Sequence, residues 1–333
     1  MSFRFLIFVF AFIIFNGNIW CQTFEMDQIQ QIWRPKIKAD FSFLPPLSNS
    51  KNETNYSSTS QSFLFTIPLK TKLGAEVNLN LSSFNIKDIL KNSISVKASQ
   101  VLASCKISSR QVMWGTESIN LYNVYGGIFG LKLSKKFRII FYSINAGYSE
   151  QDKTLNQLKF RANGVIGRFK LLGLKKNYYY GISAIWSDGL FLPVPFFGGN
   201  IPISEKLSIS ITIPAQAFIT YNINNKHSIS SGATADGFRT GIRINQERTN
   251  LNYMNLNLFL NYRMKLSQSF GLRIQSGYVV FHQLSQLENN LNYTQVLRPG
   301  FYGEIGFYTL FGKSLWDQVN SKLSEVLNIK SPF

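Results

Sequence analysis

The residues with most chemical reach in this chain are cations. Lys159, Arg161, Arg239, Arg243, Arg263 and Arg273 each occupy a polar position in a segment where polar and apolar residues alternate, and Lys132 and Lys265 belong to the same class. Guanidinium and ammonium groups bind carboxylates and phosphates through charge-assisted hydrogen bonds. The chain holds 35 Lys and Arg against 17 Asp and Glu, a formal charge of +18, and Glu304 is the clearest acid in the same alternating positions. If these side chains point into an enclosed lumen, that lumen favours anions. The plainer reading is that several lie beyond a membrane band, where they face water or the phosphates of lipopolysaccharide. Both readings stand at this level.

Nucleophilic chemistry has less to work with. The two histidines are His227 and His282, with Ser228, Ser230 and Ser285 close by in sequence. A histidine and a serine would suit a lipid hydrolase or acyltransferase. Two histidines among many serines produce such neighbours by chance, and no catalytic residue is assigned. By parity with Ile229 and Val280, both histidines are expected on the lipid side or at its rim. No CxxC, HExxH or His-rich cluster occurs, so neither a metal site nor a cofactor is expected. Gly126, Gly127 and Gly130 lie inside an alternating segment rather than between a strand and a helix, which excludes a phosphate-cradling loop. They fit close strand packing better.

The elements that must position these groups start after an export signal. Arg4 and the apolar run Phe5–Phe15 read as a signal peptide over residues 1–21, too short to span a bilayer as a helix. Cleavage after Cys21 is favoured over lipidation of Cys21, because Trp20 suits a lipidation site badly. Cys105 is then the one remaining cysteine, so no intramolecular disulfide is expected. Residues 22–62, with Pro45, Pro46 and a polar run from Ser48 to Ser62, read as a periplasmic lead-in, or alternatively as a plug.

From Phe63 to Phe311 the pattern is strand after strand. Phe63, Phe65, Ile67 and Leu69 share one parity, and so do Ile140, Tyr142, Ile144, Ala146 and Tyr148. The parity rule likewise groups Tyr178, Tyr180, Ile182, Ala184 and Trp186, with Tyr178–Tyr180 placed as an interfacial girdle. Ile119, Leu121, Tyr125, Phe129, Leu131 and Leu133 are expected on an apolar outer face. Phe238, Thr240, Ile242 and Ile244 are read the same way, which turns Arg239 and Arg243 inward. Residues 253–265 alternate without a break, longer than the roughly 5–6 residues of an ordinary soluble strand. The phase shifts near Gln100, which suggests a bulge. Gln283–Pro299 reads as a long polar loop. Residues 313–333 change to helical spacing through Leu315, Val319, Leu323 and Val326, an amphipathic helix whose default place is against the barrel mouth or the inner interface.

Composition agrees with half-apolar strands. Charged residues make up 16 % and aromatic residues 15 %, with 29 Phe and 15 Tyr, yet mean hydropathy is only −0.03. Soluble domains carry nearer 25 % charge, and helical membrane proteins are more apolar overall. The reading is an all-β transmembrane antiparallel up-and-down barrel over residues 63–312. Twelve strands are chosen from a range of 10–14, because bacterial single-chain barrels take even numbers.

The run Leu192-Pro193-Val194-Pro195-Phe196-Phe197-Gly198-Gly199, with Lys206-Leu207-Ser208 and Ile213-Pro214 after it, resembles a Bacteroidota family of outer-membrane barrels known only as a domain of unknown function. The resemblance covers roughly Phe63 to Phe311. It implies an outer-membrane location and a barrel fold, with no activity and no catalytic residues to carry over. Pro193, Pro195, Gly198 and Gly199 are read as an interruption that forms a constriction or a rim. The functional expectation is a pore or transporter for a small solute. A structural or surface-binding barrel is the alternative. Its partners would be outer-membrane lipid, lipopolysaccharide and the insertion machinery, with no nucleic acid.

Overall fold

The computed structural model describes residues 35–48, 55–77, 94–114, 117–134, 138–151, 159–171, 176–187, 190–244, 247–288 and 291–311. The expected signal peptide and the expected C-terminal helix lie outside these residues. The strands are β1 (Lys36–Ser48), β2 (Asn55–Val77), β3 (Ile94–Trp114), β4 (Glu117–Ser134), β5 (Arg138–Gln151), β6 (Lys159–Leu171), β7 (Asn177–Ser187), β8 (Leu190–Pro202), β9 (Leu207–Ile213), β10 (Gln216–Asn222), β11 (His227–Ile244), β12 (Glu247–Lys265), β13 (Phe270–Glu288), β14 (Leu291–Val296) and β15 (Gly300–Leu310).

From β1 to β14 each strand pairs antiparallel with the next in sequence, and β1 pairs with β15 from Lys36↔Leu310 to Phe43↔Gly303, which closes the sheet. β15 pairs with Phe270–Val279 of β13, and β14 pairs with Gln283–Glu288 of the same strand. The two therefore share one place in the wall, and the barrel has fourteen strand positions rather than twelve. Closure leaves no sheet edge at the seam, which a bilayer requires because lipid offers nothing to an unpaired backbone group.

Three expectations are corrected by this wall. Residues 22–62 are not simply a lead-in or plug, since Lys36–Ser48 is the closing strand β1 and the polar run from Asn55 belongs to β2. That part of β2 has serines on its inner side and Thr59 and Gln61 on the outer, so no apolar alternation announces it. Gln283–Pro299 is not a loop but the end of β13 and the strand β14. The expected interruption at Pro193–Gly199 is absent, for β8 runs unbroken from Leu190 to Pro202. The bulge expected near Gln100 is not on β3, whose register with β4 is unbroken from Ala98 to Trp114; the irregularity lies on β2, where Leu69 is an extra residue between Pro68 and Lys70.

The outer surface is apolar. Ile144, Ile166, Ile182, Phe197, Leu260 and Phe301 are all exposed there. At one end Tyr148, Phe160 and Trp186 form a row with ring separations of 5.5 and 5.3 Å. At the other end Tyr178 stacks near Tyr180. An apolar band between aromatic girdles is the outer face of a membrane barrel. The end holding the start of β1 and the finish of β15 is called the terminal end here, and the opposite one the far end. β4 is turned the other way from its expected orientation: Val124 and Ile128 face outward, whereas Leu121, Tyr125 and Phe129 line the lumen. Its inner side is apolar as well because Leu121 is buried toward the far end and Leu131 and Leu133 toward the terminal end.

Candidate functional site: a basic, polar lumen

Inside the barrel the small and polar members of the alternation meet. Asn145 of β5 accepts a hydrogen bond from Ser104 of β3 at 3.3 Å, and donates to Ser143 and to Asn163 of β6 at 2.9 Å each. β4 lies between β3 and β5, and it permits this crossing because Gly127 stands opposite both Ser104 and Asn145. A Cβ at Gly127 would sit 1.9 Å from Asn145 Oδ1. Ser42–Ser60 (2.6 Å) and Thr220–Ser230 (2.9 Å) continue the polar belt.

This belt surrounds a cavity of about 460 Å³, within the range of small-molecule sites. Among the described residues its charged lining comprises Lys36, Lys38, Lys106, Arg110, Arg161, Arg263 and Arg273 against Asp40, Asp236 and Glu304. Arg273 is held on two sides. Its Nη2 donates to Asp40 Oδ1 of β1 at 2.9 Å and also to Glu304 of β15, while Lys38 contacts Asp40 at 2.9 Å. Arg273 of β13 reaches Asp40 across β15 because Gly306 is the register partner of both. A Cβ at Gly306 would lie 2.5 Å from Asp40 Oδ1.

Of the six cations read from the sequence as lumen candidates, Arg161, Arg263 and Arg273 line this cavity. The side chains of Lys159, Arg239 and Arg243 lie outside the described residues. The ground for turning the last two inward is gone, however, because Phe238 of the same strand faces the lumen. Lys36, Lys38, Lys106 and Arg110 were missed. For the first two the signal was present in the alternation Lys36-Ile37-Lys38-Ala39-Asp40-Phe41-Ser42-Phe43. Pro193 and Pro195 face outward and are exposed, so they form no constriction; Gly198 is buried beneath the ring of Tyr179.

The constriction lies elsewhere. At the far end Leu44, Tyr56, Val112, Ile119, Leu121, Leu251, Tyr253, Val279, Leu284 and Leu297 form one buried cluster drawn from opposite walls. Tyr56 of β2 stacks on Tyr253 of β12 at 5.3 Å, Tyr253 stacks on Phe238 at 5.2 Å, and the Arg110 guanidinium lies 4.3 Å over the Phe238 ring. These contacts span the bore.

His282 belongs to this cluster, not to the lipid side. β13 carries a bulge at Val280, where the register passes from Leu256↔Phe281 to Asn257↔Val279. The extra residue flips the parity and turns His282 inward, fully buried. Its Nδ1 meets Tyr253 Oη at 3.2 Å and its Nε2 the Arg298 carbonyl. His227 sits near the terminal rim with its Nδ1 2.6 Å from Tyr262 Oη. Neither imidazole is placed against a serine nucleophile by these contacts. No group of metal-ligating side chains occurs among the described residues.

A closed antiparallel barrel with a lipid-facing apolar band and a polar lumen is an integral outer-membrane protein. No family model matches the chain, and no curated protein does. Solved structures share the architecture. An outer membrane channel from Pseudomonas putida F1 aligns with a TM-score of 0.43 at 9% identity, over 84% of this chain and 96% of the channel. The Acinetobacter baumannii outer membrane protein Omp33 aligns at 0.27 and 9% identity, over 84% and 98%. The P. putida toluene transporter TodX aligns at 0.26 and 5% identity, over 84% and 90%. The likeness is one of fold.

Proposed function

We propose that this barrel is an outer-membrane channel whose lumen takes a small anionic solute. The observation that carries the reading is the lining itself: seven Lys and Arg side chains face three carboxylates around one polar cavity. Serine and asparagine side chains between them supply neutral donors, so an entering anion exchanges water for hydrogen bonds already in place. The aromatic cluster around Tyr56 and Tyr253 closes the far end and acts as the gate.

Planar-bilayer recording tests this. The expected result is channel activity whose reversal potential in a KCl gradient favours chloride. Cation preference would overturn the anionic solute. The packed far end also suits a barrel that binds a ligand without passing it. Absence of conductance from both the wild type and Tyr253→Ala would decide for that second reading.

A further inference from the structure

Toward the terminal end the outer face of this barrel turns from apolar to cationic. On β6 the outward residues Ile166, Arg168 and Lys170 are exposed, while Gly167 and Phe169 between them are buried. On β4 the exposed Lys132 stands between buried Leu131 and Leu133, so it faces outward, although the alternation groups it with the candidate lumen cations. Register joins the two strands: Lys132 is opposite Ile140 of β5, and Ile140 is opposite Arg168. Lys132 and Arg168 therefore lie two strand spacings apart, about 10 Å, and Arg168 lies about 7 Å from Lys170 along β6. The exposed Lys72 of β2 extends the row, because Ser99 of β3 is the partner of both Lys72 and Lys132.

Aromatic rings flank these cations. Arg168 is opposite Tyr180 and Lys170 is opposite Tyr178, and the two rings lie 6.5 Å apart with their planes 18° from parallel. Lys170 Nζ is 5.6 Å from the centre of the Tyr178 ring, a cation–π contact. One outward step back from the end, Tyr142, Ile166 and Ile182 stand in register, and all three are exposed. The cations thus begin where the apolar band stops, at the depth of the terminal girdle.

A single exposed lysine beside a girdle needs nothing but water. Two further observations set this patch apart. Among the described side chains no carboxylate stands beside Lys132, Arg168 or Lys170: Asp40, Asp236 and Glu304 line the cavity, and Glu205 lies in the turn between β8 and β9. The outer face of the same strands is also unequal at its two ends. Toward the far end β3 and β4 present neutral groups, with Gln111 donating to Ser118 at 3.0 Å.

We infer that this patch holds the headgroup of an anionic phospholipid. The phosphodiester lies over β5 between Lys132 and Arg168, where the guanidinium gives parallel hydrogen bonds to two phosphate oxygens. Lys170 adds a second charge beside it, and the Tyr178 and Tyr180 rings pack at the level where aromatic side chains meet headgroups. The acyl chains run on over Tyr142, Ile166 and Ile182 into the band. A zwitterionic headgroup brings its own cation against these three; an anionic one does not. The inference rests on the outer face and is independent of what the lumen carries.

The test places bimane on single cysteines in a Cys105→Ala background, in phosphatidylcholine vesicles containing a minority of phosphatidylglycerol. Bromine is carried on the acyl chains of one lipid or of the other, at equal mole fraction. Ile182→Cys reports the band beside the patch, and Leu258→Cys, also exposed, reports the band on β12. Brominated phosphatidylglycerol should quench the Ile182 label more than brominated phosphatidylcholine does, and the two should quench the Leu258 label alike. Arg168→Gln should lower the preference about fivefold, the triple variant Lys132→Gln/Arg168→Gln/Lys170→Gln should abolish it, and added salt should weaken it. If the triple variant fails to fold, the single variant carries the test. Equal quenching by the two lipids at Ile182, the same preference at both labels, or a preference that survives the substitutions would overturn the site. Quenching by neither lipid at Ile182 would put another protein surface on the patch and overturn it as well. Inorganic phosphate, matched in ionic strength to chloride, should leave the preference intact; its loss in phosphate alone would make the ligand a free anion and not a lipid.

Discussion

Replacing Tyr253 by alanine removes the ring on which the far closure turns. The side chain is buried, stacked between Tyr56 and Phe238, and meets His282 edge-on at 6.0 Å. Truncating a buried aromatic side chain costs about 3–5 kcal/mol, of which two ring pairs at about 0.5–1.5 kcal/mol each are a substantial share. Tyr253→Ala should therefore lose about 3–5 kcal/mol in urea unfolding from lipid vesicles, and should raise single-channel conductance in planar bilayers. Tyr253→Phe separates rings from hydroxyl. It keeps both stacks and removes the partner of His282 Nδ1, for about 1–3 kcal/mol, and should leave conductance unchanged. If Tyr253→Ala lost stability but conducted like the wild type, the cluster would be packing and not a gate. If Tyr253→Phe opened the channel as far as the alanine variant, the reasoning from stacked rings would be wrong.

Other variants probe separate parts of the wall. Arg273→Met removes the guanidinium that Asp40 and Glu304 share, leaving Asp40 with Lys38, and should destabilise by about 3–5 kcal/mol. Adding Asp40→Asn and Glu304→Gln should recover much of that loss, and urea titration of the triple variant checks it. Gly127→Val drives a side chain into Asn145 and should cost about 1–3 kcal/mol, read by the same titration against Gly126→Val, where nothing lies within 4 Å of the added Cβ. Cys105 is exposed and pairs with outward Phe65. In vesicles it should resist a charged maleimide, which does not enter hydrocarbon, and react once the protein is unfolded in urea. Rapid labelling of the folded barrel would place the apolar band elsewhere.

Most of the wall was legible from parity. The outward sets on β5, β7 and β12 can be read directly from Tyr142 and Ile144, from Tyr180 and Ile182, and from Leu258 and Leu260. What failed did so for physical reasons. One extra residue at Val280 reverses every side chain after it, and a sequence does not mark a bulge there. β4 carries apolar residues on both sides, so composition cannot tell lipid from a packed lumen. Pro45 and Pro46 obscured the alternation of β1, although bulges and edges tolerate proline; the register of β1 against β2 is indeed irregular between Leu44 and Leu47. The lumen cations were half legible because charge reveals polarity of a face but not the strands missed beside it.

The contact of Arg273 with Asp40 over Gly306 also bears on how the barrel is made. These two residues are 233 positions apart, and they sit on either side of β15, the last strand among the described residues. Before β1 and β15 meet, a growing sheet carries Asp40 on its first strand and Arg273 near its last, each without the other. Joining the ends supplies a row of backbone hydrogen bonds and adds Asp40 to the Arg273–Glu304 pair in one event. A sheet that closed one residue out of register would turn Asp40 away from the lumen and leave the guanidinium with Glu304 alone. The seam thus tests its own alignment at the moment it forms, and it does so with a residue that has no side chain.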